Sequence, residues 1–520
     1  MGQIKGNNPI LYTDYPDPDV IRVGDTYYMV STTMHFMPGC VILRSYDLIH
    51  WEIASYVYET LDDTPGQCLA DDKGIYGKGM WAASIRYHQD TFYVCFVAND
   101  TGKTYLYTSK DIAGPWKKSI IEGFFHDNSL LFDDDGRVYI AYGNREIYIT
   151  ELNEDLTAPK EGGLHRMAVK DTGDVILGYE GAHFYKINGK YYLFFIHWPR
   201  GGFRTEACFC ADSLLGEFTG GDVLSCDLDE RHSGVAQGGI VDTPEGDWYS
   251  VMFQDHGAVG RIPILVPVSW ENDFPVFGGG SAPKELTTNT TKADYVYKPL
   301  WCSDEFRYSA DENGKVTLKA PWQWNHTPDN GLWSVTEKPG NLRIRSGKLS
   351  KNLVQAVNTL TQRTMGPWCA AEVTVDGSEL SDGDYAGLCT LQGDYGFIAM
   401  TKEAGTCYLV MMEKAPTEQF AGMGSVNNEP GKVVAKIPIE GAKVTFRAEC
   451  DFNIGKDTAE FFWCMPETEN GTAFKKLGDT HKLFFKLDHF VGCRFGLFLF
   501  STEQTGGVAE FSKFRYFDEK

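Results

Sequence analysis

Tyr179-Glu180-Gly181-Ala182-His183-Phe184-Tyr185-Lys186-Ile187-Asn188-Gly189-Lys190-Tyr191-Tyr192 is the stretch whose reading decides the fold. It predicts a hairpin: a short strand, a turn at Asn188-Gly189, then an aromatic strand. Asn-Gly between apolar runs is the strongest short-range hairpin signal, because both residues tolerate positive φ. One carboxylate, Glu180, stands at the head of this hairpin and is followed by a glycine.

Working outward, the same hairpin recurs. Its second aromatic falls at Tyr28, Tyr93, Tyr139, Tyr192 and Tyr249, at intervals of 46 to 65 residues. Each anchor follows a turn: Gly24-Asp25, Gln89-Asp90, Asp135-Gly136, Asn188-Gly189 and Glu245-Gly246. Each turn follows a short apolar strand, as in Val20-Ile21-Arg22 and Leu130-Leu131-Phe132. Five β-rich units of roughly 40–65 residues predict an all-β chain that opens with a five-bladed β-propeller. A β-sandwich with accidental internal similarity is the competing reading.

In a propeller the first strand of each blade lines the central axis. The residues 11 or 12 positions before the anchors are Asp17, Ala82, Asp127, Glu180 and Gln237. They are predicted to converge on one funnel. A single Asp at a strand start is ordinarily a cap or turn residue. Three acids in phase across separate repeats call for another explanation, since crowding like charges in a pocket is costly and is typical of sites that use the resulting pKa shifts.

Metal binding explains the acids poorly, because calcium takes six to eight oxygens. Asp133-Asp134-Asp135-Gly136 has the opening of a calcium loop without its later Glu, and Cys208-Phe209-Cys210 reads as alternate residues of a strand. No metal ligands are assigned. Glycoside hydrolysis fits better: one carboxylic acid protonates the leaving oxygen and a second carboxylate works from the opposite face of the sugar. A non-catalytic sugar-binding propeller is the rival, and it does not require all three acids.

Pro16-Asp17-Pro18-Asp19 with Val23-Gly24-Asp25-Thr26-Tyr27-Tyr28 resembles the opening of glycoside hydrolase family 43. So do Asp127-Asn128-Ser129-Leu130-Leu131-Phe132-Asp133-Asp134-Asp135-Gly136 and Glu180-Gly181-Ala182-His183. The resemblance covers residues 8 to about 276. It implies an inverting, exo-acting enzyme that releases terminal β-D-xylose or α-L-arabinofuranose from xylo-oligosaccharides or arabinoxylan. It also implies Asp17 as general base, Glu180 as general acid and Asp127 as the residue that orients the acid and tunes its pKa. Phe36 and Trp81 match aromatic subsite positions, and Arg261 matches an arginine that binds sugar hydroxyls; core packing and a surface ion pair are the alternatives. Many members carry a fifth-blade His that contacts the water shell of a metal. Here Gln237 fills that phase, so a central calcium is not expected and no cofactor is required. His256, nearby, takes over some of that role or serves as a hydrogen-bonding wall residue.

The propeller is expected over residues 1–285 and a linker over 286–300. Residues 301–520 read as a β-sandwich, with Val444, Phe446, Ala448 and Cys450 alternating with polar neighbours. Trp322-Gln323-Trp324-Asn325-His326 and Asp382-Gly383-Asp384-Tyr385-Ala386-Gly387-Leu388 resemble the concanavalin-like sandwich that accompanies this part of the family. Gln504-Thr505-Gly506-Gly507 is the candidate for a sandwich loop reaching the pocket rim.

Across the 520 residues the net charge is −23, which argues against nucleic acid or an anionic membrane as partner. Aromatic content of 14% suits strands and flat ligands such as sugars. Cys95, Cys369 and Cys450, among 13 cysteines, lie in strand-like runs and read as buried thiols of a reducing compartment. With no apolar leader at Met1-Gly2-Gln3-Ile4-Lys5, a cytoplasmic enzyme is the expectation. The oligomeric state is left open.

Overall fold

A computed structural model describes residues 2–414, 428–466 and 473–520. All five predicted hairpins are present, each extended to a four-stranded antiparallel sheet. The first strands are Asp19–Val23, Met80–His88, Ser129–Phe132, Val175–Ile187 and Ile240–Asp242. At the fourth hairpin Asn188 and Gly189 take φ of 51° and 82°, and Ile187 pairs with Lys190 across them. That is the double positive φ that a two-residue turn between twisted strands demands.

Apolar residues from neighbouring blades fill the seams. Leu131, Tyr139 and Ile149 of the third blade pack against Phe184, Leu193 and Phe195 of the fourth. Between the fifth blade and the first, Val20, Tyr27 and Met29 meet Val251 and Leu265. A strand at Gly2–Asn7 pairs antiparallel with Glu285–Thr290, and Leu286 joins that same seam. The segment expected to begin the linker thus forms a strand of a separate two-stranded sheet packed on that seam. Alternation at Glu285–Thr290 is short and polar on one face, which conceals it in the sequence.

Among the described residues the second half forms two sheets face to face, one of eight strands and one of seven that a strand from the first half extends to eight. Val444, Phe446, Ala448 and Cys450 point into the shared core while Lys443, Thr445, Arg447 and Glu449 point away. One sheet runs on into the propeller: Phe36–Met37, from the first blade, pairs with Gln323–Asn325. The two domains therefore share a ladder of backbone hydrogen bonds.

Three histidines lie buried at this junction. His35 stands 4.8 Å from His326 and 6.1 Å from His489, centroid to centroid, and Tyr76 stacks on His489 at 4.0 Å. Burial lowers the His489 pKa to about 4, with Asp488 and Asp394 pulling up and Lys414 pushing down. An unfolded His titrates near 6.5, so in that window the unfolded chain holds the extra proton and stability falls as pH falls. The stability advantage of the wild type over His489→Gln is expected to shrink by up to about 1.4 kcal/mol per pH unit between about pH 6.5 and about pH 4. Denaturant titrations of both proteins at several pH values check it, and parallel pH profiles would contradict it.

Candidate active site

Asp17, Asp127 and Glu180 meet on the propeller axis, held there by unusual backbone. Asp17, Asp127 and Gln237 adopt φ of 53°, 47° and 58°, in the left-handed region. Such conformations are costly for residues with a side chain and gather at functional sites. Hydrogen bonds from Ser31 Oγ (2.6 Å) and Thr32 N (3.2 Å) to Pro16 O fix the turn before Asp17. The Ala182 N–H donates to Asp127 O at 3.2 Å and ties the third blade to the fourth beside Glu180. In the fourth blade the positive φ, 65°, falls on Gly181. A β-carbon there would stand 2.7 Å from Gln237 Cδ, so only glycine lets Glu180 and Gln237 sit side by side.

Asp17 is almost fully buried. Arg261 Nη1 donates to its Oδ1 at 2.9 Å and Thr32 Oγ1 to its Oδ2 at 2.6 Å. Burial raises its pKa, Arg261 and Thr32 oppose the rise, and Asp14 and Glu180 add to it. Asp127 is pushed up to about 7, first by burial and then by the charges of Glu180 and Asp17, against the pull of His126 and Arg261. Its Oδ1 is buried without a hydrogen-bond partner among the described residues.

Glu180 is the most open of the three, with 18% of its side chain exposed. Its Oε2 accepts from Asn144 Nδ2 and lies 3.4 Å from His126 Nε2. His126 Nε2 lies 3.7 Å from Asp127 Oδ2. Burial works against a charged imidazole here, but Asp127 and Glu180 prevail and raise the His126 pKa to about 9.

Trp81 and Arg261 join the acids. The Trp81 ring lies 5.8 Å from His126 and 5.9 Å from Phe490. The Arg261 guanidinium stacks over Phe490 at 4.3 Å, and its Nε and Nη2 are buried without partners among the described residues. Unsatisfied buried donors of this kind suit a ligand rich in hydroxyls.

Phe36 does not line the funnel. It is fully buried, with the Arg494 guanidinium 3.5 Å from its ring centre, and it belongs to the core between the domains. The core-packing alternative describes it, because the pairing with Asn325 draws it under the sandwich sheet. Gln237 is at the axis, its N–H donating to Glu206 Oε2 at 2.8 Å. His256 is buried: its Nε2 lies 2.9 Å from Gln254 Oε1, and burial with the Arg231 charge lowers its pKa to about 3.

Beside the acids a buried network crosses the blades. Arg86 of the second blade donates to Asp19 Oδ2 (2.7 Å) in the first and Ser129 Oγ (2.6 Å) in the third. His183 Nδ1 in the fourth blade lies 3.0 Å from Asp19 Oδ1.

Some neighbours escaped the sequence reading. His126 was adjacent to Asp127 and could have been found by proximity, whereas Asn144 carried no signal. The sandwich does reach the pocket, but through Phe490. Gln504–Gly507 instead lies against Ser346 and Asp384, where Ser346 N donates to Gly507 O at 2.9 Å. Phe490→Ala is expected to lower kcat/KM about tenfold by removing the ring beneath Arg261, the scale of a stacked cation–π contact. Steady-state kinetics check this, and an unchanged kcat/KM would contradict it.

A five-bladed propeller with three carboxylates, an arginine and a tryptophan at its axis defines a carbohydrate-cleaving class of protein. Residues 6–275 match the family model "Glycosyl hydrolases family 43", and residues 310–517 match "Beta xylosidase C-terminal Concanavalin A-like domain". The chain belongs to glycosyl hydrolases family 43 and is a glycoside hydrolase.

It is 26% identical to a β-xylosidase of Formosa agariphila over 98% of this chain and 90% of that protein. It is 27% identical to a non-reducing end α-L-arabinofuranosidase of Bacteroides ovatus over 66% of each. Among solved structures, a bifunctional GH43-CE chain of Bacteroides eggerthii superposes with a TM-score of 0.89 at 40% identity. That match covers all of this chain and 64% of the other.

Proposed function

We propose that this exo-acting glycoside hydrolase works with inversion and removes terminal β-D-xylose or α-L-arabinofuranose from xylo-oligosaccharides or arabinoxylan. The observation that carries the proposal is the meeting of Asp17, Asp127 and Glu180 at one axis. Asp17, oriented through both carboxylate oxygens, takes a proton from the attacking water. Glu180, the open carboxyl, gives its proton to the leaving oxygen. Asp127 and His126 set the charge around Glu180, and Arg261 supplies free N–H donors for sugar hydroxyls. The proton transfers balance between the two carboxyl groups and water, with no cofactor needed. Names of related proteins support both sugars: β-xylosidase for one and α-L-arabinofuranosidase for another.

Release of 4-nitrophenol from the β-D-xyloside and the α-L-arabinofuranoside tests the reading. Turnover of at least one is expected. Binding of both sugars with turnover of neither would favour the non-catalytic propeller.

A further inference from the structure

We infer that His126, Asp127 and Glu180 form a binding site for a divalent transition-metal ion such as Zn²⁺, and that occupancy of this site switches hydrolysis off. One donor atom from each residue lies within 4.8 Å of the other two. Two of the separations are 3.4 Å and 3.7 Å, both measured from His126 Nε2. Donors bound tetrahedrally to zinc at their usual bond lengths stand roughly 3.3 Å apart, so two edges of the triangle are near that size already and only the third must contract.

A second observation points the same way. Asp127 is 6% exposed, and its Oδ1, the oxygen beside the Oδ2 that approaches His126, has no hydrogen-bond partner among the described residues. A buried carboxylate oxygen left unsatisfied is costly and calls for a cation or a donor. Support around the donors is in place: Asn144 holds Glu180, and the Trp81 ring packs 5.8 Å from His126. Outer contacts of this kind orient metal ligands.

The donor set selects the metal. One imidazole nitrogen, once His126 releases its proton to water, and two carboxylates suit Zn²⁺ or Co²⁺, with a water in the fourth position. Ca²⁺ and Mg²⁺ need more oxygens than these three side chains supply. An ion here ties up the proposed acid, Glu180, and its neighbour Asp127, so it competes with substrate. The inhibition rests on the proposed function, while the binding does not.

Co²⁺ titration of the whole protein, followed by visible absorption, tests the site directly. One equivalent is expected to give d–d bands without a thiolate charge-transfer band, bleached by one equivalent of Zn²⁺. Zn²⁺ is expected to inhibit 4-nitrophenyl glycoside hydrolysis over the same concentration range, and Ca²⁺ is not. His126→Gln and Glu180→Gln should each weaken Co²⁺ binding by about 100-fold or more, at least the scale of losing an outer-shell support. Wild-type Co²⁺ binding in both variants, thiolate bands from the cysteines, or no binding below millimolar Co²⁺ would each overturn the inference. If Co²⁺ binds as expected and no glycoside is cleaved, the site stands and the proposed function fails.

Discussion

Glu180→Gln is expected to lose about 10²–10⁴-fold in kcat on glycosides with alkoxide leaving groups, and much less on 4-nitrophenyl glycosides. The glutamine keeps the shape and the contact with Asn144 but cannot donate a proton. A sugar alkoxide cannot depart without that proton, whereas 4-nitrophenolate can. The loss should therefore grow with leaving-group pKa. Equal losses across a leaving-group series would assign Glu180 a different role. Asp17→Asn sets the contrast: it removes the base for the attacking water, so both kinds of substrate should lose turnover alike. Arg261 and Thr32 would still hold the asparagine in place, so the loss would report chemistry and not a collapsed turn.

Asp19→Asn is the second large effect, and it falls on stability. Asp19 is 1% exposed and meets Arg86 at 2.7 Å, His183 at 3.0 Å and the Ile85 N–H at 2.8 Å. Burial alone would raise its pKa, but Arg86, His183 and the Ile85 N–H together hold it below the ordinary carboxylate value. Its contribution is therefore present at neutral pH and lost as pH falls through that lowered pKa. Removing the charge leaves the Arg86 guanidinium, 11% exposed at its side chain, without a counter-ion among four blades. Breaking a buried pair on one side costs about 3–5 kcal/mol. Denaturant unfolding of Asp19→Asn should show a loss of that order, and the double variant Asp19→Asn/Arg86→Met should recover part of it. A loss under about 1 kcal/mol in the single variant would mean that water reaches Arg86 and the network is not an interior cross-link.

The propeller was legible in the sequence because its signals are local. Asn188-Gly189 states a turn and Tyr191-Tyr192 a strand within a few residues, and five repetitions turned a hairpin into an axis. The acids were legible for the same reason: Asp17, Asp127 and Glu180 hold the same phase against their tyrosines. What could not be read was whatever depends on chain segments meeting from afar. Phe490 reaches Arg261 from 229 positions away, and nothing in its neighbourhood marks it. Phe36 resembled a pocket aromatic until its pairing with Asn325 placed it in the interdomain core. Residues 286–290 read as linker because their partner strand lies at the other end of the propeller.

The stereochemistry of the first product tests the central claim most directly. Proton NMR during rapid hydrolysis of a β-D-xyloside, before mutarotation, resolves the anomer released. Water activated by Asp17 on one face while Glu180 protonates the departing oxygen on the other yields α-xylose first. First-formed β-xylose would mean a covalent glycosyl intermediate and would contradict the roles assigned to these two residues.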